Sequence, residues 1–172
     1  MREISEAIRD VKDFPKPGIV FKDITPLLSD GALFRKTIDA FKERLEEQRV
    51  DVVVGVEARG FVFASALAYA LGAGTGLVRK PGKLPHTVHR ESYALEYGTD
   101  AVEIHVDAFT PGQRVVIIDD VLATGGTVEA TTRLIDRNFD VEIVELAFLM
   151  ELEFLNGRGK LAGHAIHSLL KY

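Results

Sequence analysis

The stretch Val115–Thr127, VVIIDDVLATGGT, decides the reading of this 172-residue chain. Four apolar residues run directly into two adjacent carboxylates, Asp119 and Asp120, and then into a turn of small residues, Ala123-Thr124-Gly125-Gly126-Thr127. A short, continuously apolar run bounded by turn residues reads as a strand buried on both faces. In open α/β sheets, ligands bind beyond the carboxyl ends of such strands. The acid pair stands at one of those ends. Two glycines let the backbone come close to an anion, and the N–H groups at the start of a following helix favour a phosphate. Thr124 and Thr127 add two hydroxyl donors. Carboxylates beside a phosphate would repel it, so their presence points to sugar hydroxyls, or to a Mg²⁺ ion held with them. A ribose 5-phosphate has a phosphate at one end and a cis-diol at the other.

Outward from this stretch the same texture repeats. Val52–Val56 is a second buried strand and Val141–Met150 a third, with helix signals over Phe61–Leu71 and Thr127–Arg137 between them. A shorter strand is expected at Gly76–Val78, and a last apolar stretch at Ala165–Leu170. Strands alternating with helices imply βαβ units and a parallel sheet covered on both faces. Asn138 is expected to end the second of these helices in the left-handed conformation. Val102, Ile104 and Val106 alternate with polar residues, so Glu91–Val106 reads as a half-exposed hairpin leaving the sheet. Towards the N-terminus, Ile4, Ala7, Ile8 and Val11 have helical spacing, and FPKPG (Phe14–Gly18) breaks that helix. IVFKDITPLL reads as irregular. Asp30 or Ser29 caps the next helix, whose apolar face is Leu33, Phe34, Ile38, Phe41 and Leu45.

Composition limits the alternatives. Apolar residues make up 47% and charged residues 27%, as in a single packed domain spanning 1–172. The net charge of -5 argues against broad binding to nucleic acid or anionic membrane. With no cysteine there are no disulfides and no thiolate chemistry. No apolar run is long enough to span a bilayer, and the expectation is a cytoplasmic protein. A P-loop is not supported, because GxxxxGK[ST] is absent. Gly72, Gly74 and Gly76 follow a helix and precede a strand, the reverse of a dinucleotide turn, so they read as a helix cap and tight turn.

Two further segments suit a second phosphate. VGVEARG (Val54–Gly60) follows a buried strand and precedes a helix, which brings Glu57, Ala58, Arg59 and Gly60 to the same rim. RKPGK (Arg79–Lys83) sets Arg79, Lys80 and Lys83 around a rigid Pro-Gly turn, and an arginine can grip a diphosphate bidentately. His86 and His89 read as exposed loop residues, without metal-ligand spacing. Leu152–Tyr172 carries no motif that reads as chemistry.

The acid pair and its loop resemble the PRPP-binding motif of the type I phosphoribosyltransferases. EARGF (57–61), RKPGKLP (79–85), ESYALEYG (91–98) and FPKPGIVFKDITPLL (14–28) are similar to the adenine-specific branch of that family, from about Phe14 to the C-terminus. The resemblance implies an α/β fold with a central, mostly parallel sheet, helices on both faces, an N-terminal hood (about 1–28) and a mobile hairpin loop (about 83–101). It implies transfer of a phosphoribosyl group from PRPP to adenine, with Mg²⁺ as cofactor and a homodimer as the assembly. Asp119, Asp120 and Ala123–Thr127 would hold the ribose phosphate. Glu57–Gly60, Arg79, Lys80 and Lys83 would take the pyrophosphate. Val20, Phe21 and Arg59 would line the adenine site. Glu96 would act as the acid/base group on the closing loop, beside Tyr97. A hypoxanthine-guanine or xanthine enzyme shares the PRPP loop but not EARGF and LEYG. A regulator on the same fold should carry a DNA-binding module or a basic face, and this sequence has neither.

Overall fold

The computed structural model describes residues 1–94 and 98–172. Its centre is a five-stranded sheet of β3 (Val52–Val56), β4 (Gly74–Val78), β7 (Arg114–Leu122), β8 (Glu142–Glu151) and β9 (Ile166–Lys171), in the order β4-β3-β7-β8-β9. Every neighbouring pair in it is parallel, so "mostly parallel" understates the sheet. Each crossover needs a helix or long connection. The order reverses between β3 and β7, because β3 continues outward to β4 while β7 starts the run to β9. Such a switch point opens a crevice at the strand ends.

The apolar runs are continuous because both sheet faces are covered. Successive side chains point to opposite faces. Val53, Val116 and Ile118 therefore pack with Phe41 of α3 (Gly31–Leu45) and with Phe63 and Leu67 of α4 (Gly60–Leu71). Val52, Val54, Val115 and Ile117 pack on the other face with Leu134 and Ile135 of α5 (Gly126–Asn138). Asp30 caps α3, accepting from the N–H groups of Ala32 and Leu33. Gly72 ends α4 in the left-handed conformation, as expected of that glycine.

Several expectations are corrected. The N-terminal helix stops early: α1 covers Arg2–Glu6, and Arg9–Lys12 is strand β1, paired antiparallel with β2 (Val20–Asp23). Ile4 and Ile8 are both buried, so the four-residue spacing records a shared core contact and not one continuous helix. IVFKDITPLL is ordered as β2 and the short helix α2 (Thr25–Ser29). FPKPG is the connection of the β1–β2 hairpin, where the Asp13 carboxylate accepts from the Gly18 N–H. The hairpin of β5 (Val88–Ala94) and β6 (Thr99–His105) leaves the sheet as expected, but β6 is not half-exposed. Ala101–Ile104 is buried, because the hairpin packs against α5 and the edge of β6 is tied to Arg79 by a backbone bridge. His89 belongs to β5, where its ring meets Phe139 edge-on, while His86 is exposed. Asn138 stays helical, and its amide donates to the Leu134 carbonyl.

Candidate active site

Two strand ends build a cleft at the switch point. β7 carries the chain through Asp119 and Asp120 to Leu122, and β3 delivers Glu57–Gly60 beside it. Together Glu57–Arg59 and Asp119–Val128 line a cavity of about 200 Å³. The sequence therefore identifies both walls, and the fold brings them together. The walls touch closely at Gly60: a Cβ there would lie 2.9 Å from the Ile118 carbonyl oxygen and 3.0 Å from Asp119 Oδ1. Glycine is what lets α4 begin against β7.

The acid pair is electrostatically strained. Asp119 keeps partial solvent contact, and its Oδ1 accepts from the Asp120 N–H at 2.9 Å. Burial pushes the Asp119 carboxyl well above the usual range, and the neighbouring charge of Asp120 adds to this. Burial raises Asp120 too, against the pull of Arg59. Asp120 Oδ2 is buried without an aligned hydrogen bond, although Arg59 Nε stands 2.9 Å away as an ion pair. Two crowded carboxylates with spare acceptor capacity suit hydroxyl donors or a cation. Among the described residues no cluster of three or more histidines or carboxylates could cage a metal.

The loop after them folds as a cradle. Gly125 has φ +78° and precedes the N-terminus of α5, a strained position for any side chain. The backbone of a distant turn braces it. A Cβ on Gly157 would lie 2.1 Å from the Ala123 carbonyl oxygen, and one on Gly125 would lie 2.5 Å from that of Gly157. Sequence reasoning passed over Gly157 entirely. The signal available was NGRGK (156–160), a glycine-basic turn without a motif of its own.

The basic segment is organised by carboxylates. Glu57 accepts from the Lys80 N–H at 2.8 Å and takes the Arg79 guanidinium at 3.2 and 3.3 Å. Burial works against its charge, but these donors prevail and hold its pKa below the ordinary value. In this position Glu57 orients Arg79. Glu103 Oε2 accepts from the Gly82 N–H and fixes the Pro-Gly turn. The Lys80 ammonium turns to Asp100 and to the Tyr93 hydroxyl, which also meets Thr127 Oγ1 at 3.1 Å. Lys80 thus lies beside the cradle, linked to it through Tyr93. Lys83 is exposed.

At the hood, the half-buried Phe21 ring lies 5.2 Å from the Arg59 guanidinium and packs edge-on with Phe14. Phe21, Arg59 and Asp120 form one continuous contact from hood to acid pair. Val20 is exposed and lines a different groove, of about 470 Å³, with Leu152, Phe154 and Tyr172. Strand alternation separates the two neighbours. Glu96 and Tyr97 lie outside the described residues.

Known proteins resemble this chain in sequence and overall fold. The family model described as a phosphoribosyl transferase domain matches residues 24–162. The adenine phosphoribosyltransferase of Anaeromyxobacter dehalogenans (strain 2CP-1) is 58% identical over 172 residues, covering 100% of this chain and 99% of that protein. That of Syntrophotalea carbinolica is 56% identical over the whole of both chains. Among solved structures, the adenine phosphoribosyltransferase of Thermoanaerobacter pseudethanolicus superposes with a TM-score of 0.95 at 50% identity, covering 99% of each chain. The Saccharomyces cerevisiae enzyme, complexed with an imino-altritol bisphosphate and adenine, does so with a TM-score of 0.93 at 42% identity, covering 98% of this chain and 97% of that one. This chain belongs to the phosphoribosyltransferase family, and within it to the adenine phosphoribosyltransferases.

Proposed function

We propose that the chain transfers the 5-phosphoribosyl group of PRPP to adenine, giving AMP and pyrophosphate, in purine salvage. One observation carries the assignment of parts: a single cleft at the switch point joins a phosphate cradle, a crowded acid pair and a loop leading to a hood aromatic. Ala123–Thr127 take the 5-phosphate through N–H groups and hydroxyls. Asp119 and Asp120 take the ribose hydroxyls, which relieves their crowding. Glu57–Gly60, Arg79, Lys80 and Lys83 form the pyrophosphate end, where cations neutralise the leaving group. Phe21 and Arg59 flank the base, while Val20 faces the other side of β2.

In the reaction the N9 lone pair of adenine bonds to C1 of the ribose. The bond from C1 to the pyrophosphate oxygen breaks, and its electron pair leaves with pyrophosphate. The proton of the imidazole ring is received by Glu96, the carboxylate that the family resemblance assigns to acid/base work. Mg²⁺ fits the site as a passenger of PRPP: it binds through one or two carboxylates plus substrate oxygens, and the acid pair offers two. When bound it would spread the charge of the diphosphate.

A homodimer is supported by apolar side chains left exposed on α4 and the edge strand β4: Val62 at 41%, Tyr69 at 90% and Leu77 at 42%. No helix among the described residues is long and apolar enough to cross a membrane. Cytoplasmic residence fits the absence of cysteine. The test is release of pyrophosphate from PRPP with Mg²⁺, measured with adenine, hypoxanthine, guanine and xanthine. Turnover with adenine alone is expected. Turnover with hypoxanthine or guanine and not adenine would reassign the base.

A further inference from the structure

The cradle Ala123–Thr127 contains no cationic side chain, yet a phosphate dianion there would sit next to two carboxylates. Among the residues lining the cleft the cationic one is Arg59, and it is paired with Asp120. Lys80 is likewise engaged by Asp100, and Arg158 by Glu151. The charge balance at the 5-phosphate end is therefore incomplete on the residues assigned so far.

A cation reaches that end from the far side of the chain. Lys160 Nζ lies 4.0 Å from the position a Cβ on Gly126 would occupy, at the first residue of α5. Lys160 is exposed and has no carboxylate partner among the described residues. Its backbone is nevertheless well placed. It belongs to the 3₁₀ turn Gly157–Leu161, which is held at both ends. At one end, Gly157 packs directly on the backbone of Ala123 and Gly125. At the other, Leu161 is 1% exposed in the core under α5. The ammonium is thus carried on a turn fixed to the cradle itself, with a flexible four-carbon stem to settle on an anion.

We propose that Lys160 is a further binding residue of this site, closing the 5-phosphate end with a charge-assisted hydrogen bond to a phosphate oxygen. The proposal rests on the reading of Ala123–Thr127 as the phosphate cradle. It also gives the packing of Gly157 a functional sense, since one turn both braces the loop and supplies its cation.

The experiment measures binding of ribose 5-phosphate and of pyrophosphate to the full-length protein, by calorimetry at low and high salt. The proteins compared are wild type, Lys160→Gln, Lys160→Arg, and the double cradle variant Thr124→Val/Thr127→Val. For Lys160→Gln, ribose 5-phosphate is expected to bind about three- to tenfold more weakly, the range of an exposed charge-assisted bond. The loss should shrink with added salt and be largely restored in Lys160→Arg. Pyrophosphate binding should be unaffected. In steady state the effect should fall on KM for PRPP more than on kcat. If the double cradle variant weakens ribose 5-phosphate and Lys160→Gln does not, the role of Lys160 is refuted. It is equally refuted if Lys160→Gln weakens both ligands alike, which would indicate a general field effect. If the double cradle variant leaves ribose 5-phosphate binding intact, the cradle reading itself falls.

Discussion

Replacing Gly157 by alanine tests whether a residue far from the acid pair in sequence sets the geometry of the phosphate loop. The added Cβ would stand 2.1 Å from the Ala123 carbonyl oxygen, 3.0 Å from the Ala123 carbonyl carbon and 3.0 Å from the Gly125 N. Non-bonded carbon and oxygen do not approach to 2.1 Å, so one backbone must retreat by about 1 Å in an interior packed like a crystal. The obstacle is backbone on both sides, and no rotamer change relieves it. Overpacking of this kind costs about 1–3 kcal/mol, or roughly 2–12 °C in Tm for a domain of this size. A displacement of about 1 Å in a positioning loop costs on the order of a hundredfold in rate. The expected result is a lowered Tm, a large rise in KM for PRPP and weakened ribose 5-phosphate binding. Gly159→Ala is the matched control: its Cβ would meet the Asn156 side chain at 3.4 Å, an ordinary contact. A Gly157→Ala protein with wild-type KM for PRPP would refute the claim that this turn fixes the loop.

Asp119→Asn should stabilise the free protein while removing activity. The folded pKa of Asp119 is raised, so between the ordinary aspartate value of 3.8 and that folded pKa the native state holds a proton that the unfolded state has lost. Stability therefore falls as pH rises through this window, and Asn removes the penalty. A gain of about 1–2 kcal/mol at pH 8 is expected, vanishing near pH 4, and thermal melts showing a loss at pH 8 would contradict it. Asp100→Asn frees the Lys80 ammonium, whose pKa is raised by its bonds to Asp100 and Tyr93 despite burial. Pyrophosphate should then bind about two- to fivefold more tightly at low salt; weaker binding would mean that Asp100 orients Lys80 for the ligand. Glu96→Gln should lower kcat by about a hundredfold or more with PRPP affinity nearly unchanged, and wild-type turnover would remove Glu96 from the chemistry.

Some features of this protein are written locally in its sequence. VVVGV and VVII read as buried strands because a sheet covered on both faces needs no alternation. The acid pair and the ATGGT turn read as a ribose-phosphate site because carboxylates, glycines and hydroxyls at a strand end have few other uses. Asp30 as a cap and Gly72 as a helix end are equally local, since each acts within four residues of itself.

Other features depend on partners that no window of sequence contains. Arg9–Lys12 is a strand because β2 pairs with it across the FPKPG turn, which overrides helical spacing. Val20 and Phe21 part company because β2 alternates, and only the packing of the hood decides which of them meets Arg59. Lys80 turns to Asp100, twenty residues on, only because the β5–β6 hairpin folds over the end of β4. The contact of Gly157 with Ala123 joins residues more than thirty positions apart, through a crossover and a parallel strand pair. Composition specifies which groups the chain can offer a ligand. Strand order and loop packing decide which of those groups face the same cleft, because those depend on long-range pairing that the residues themselves do not encode nearby.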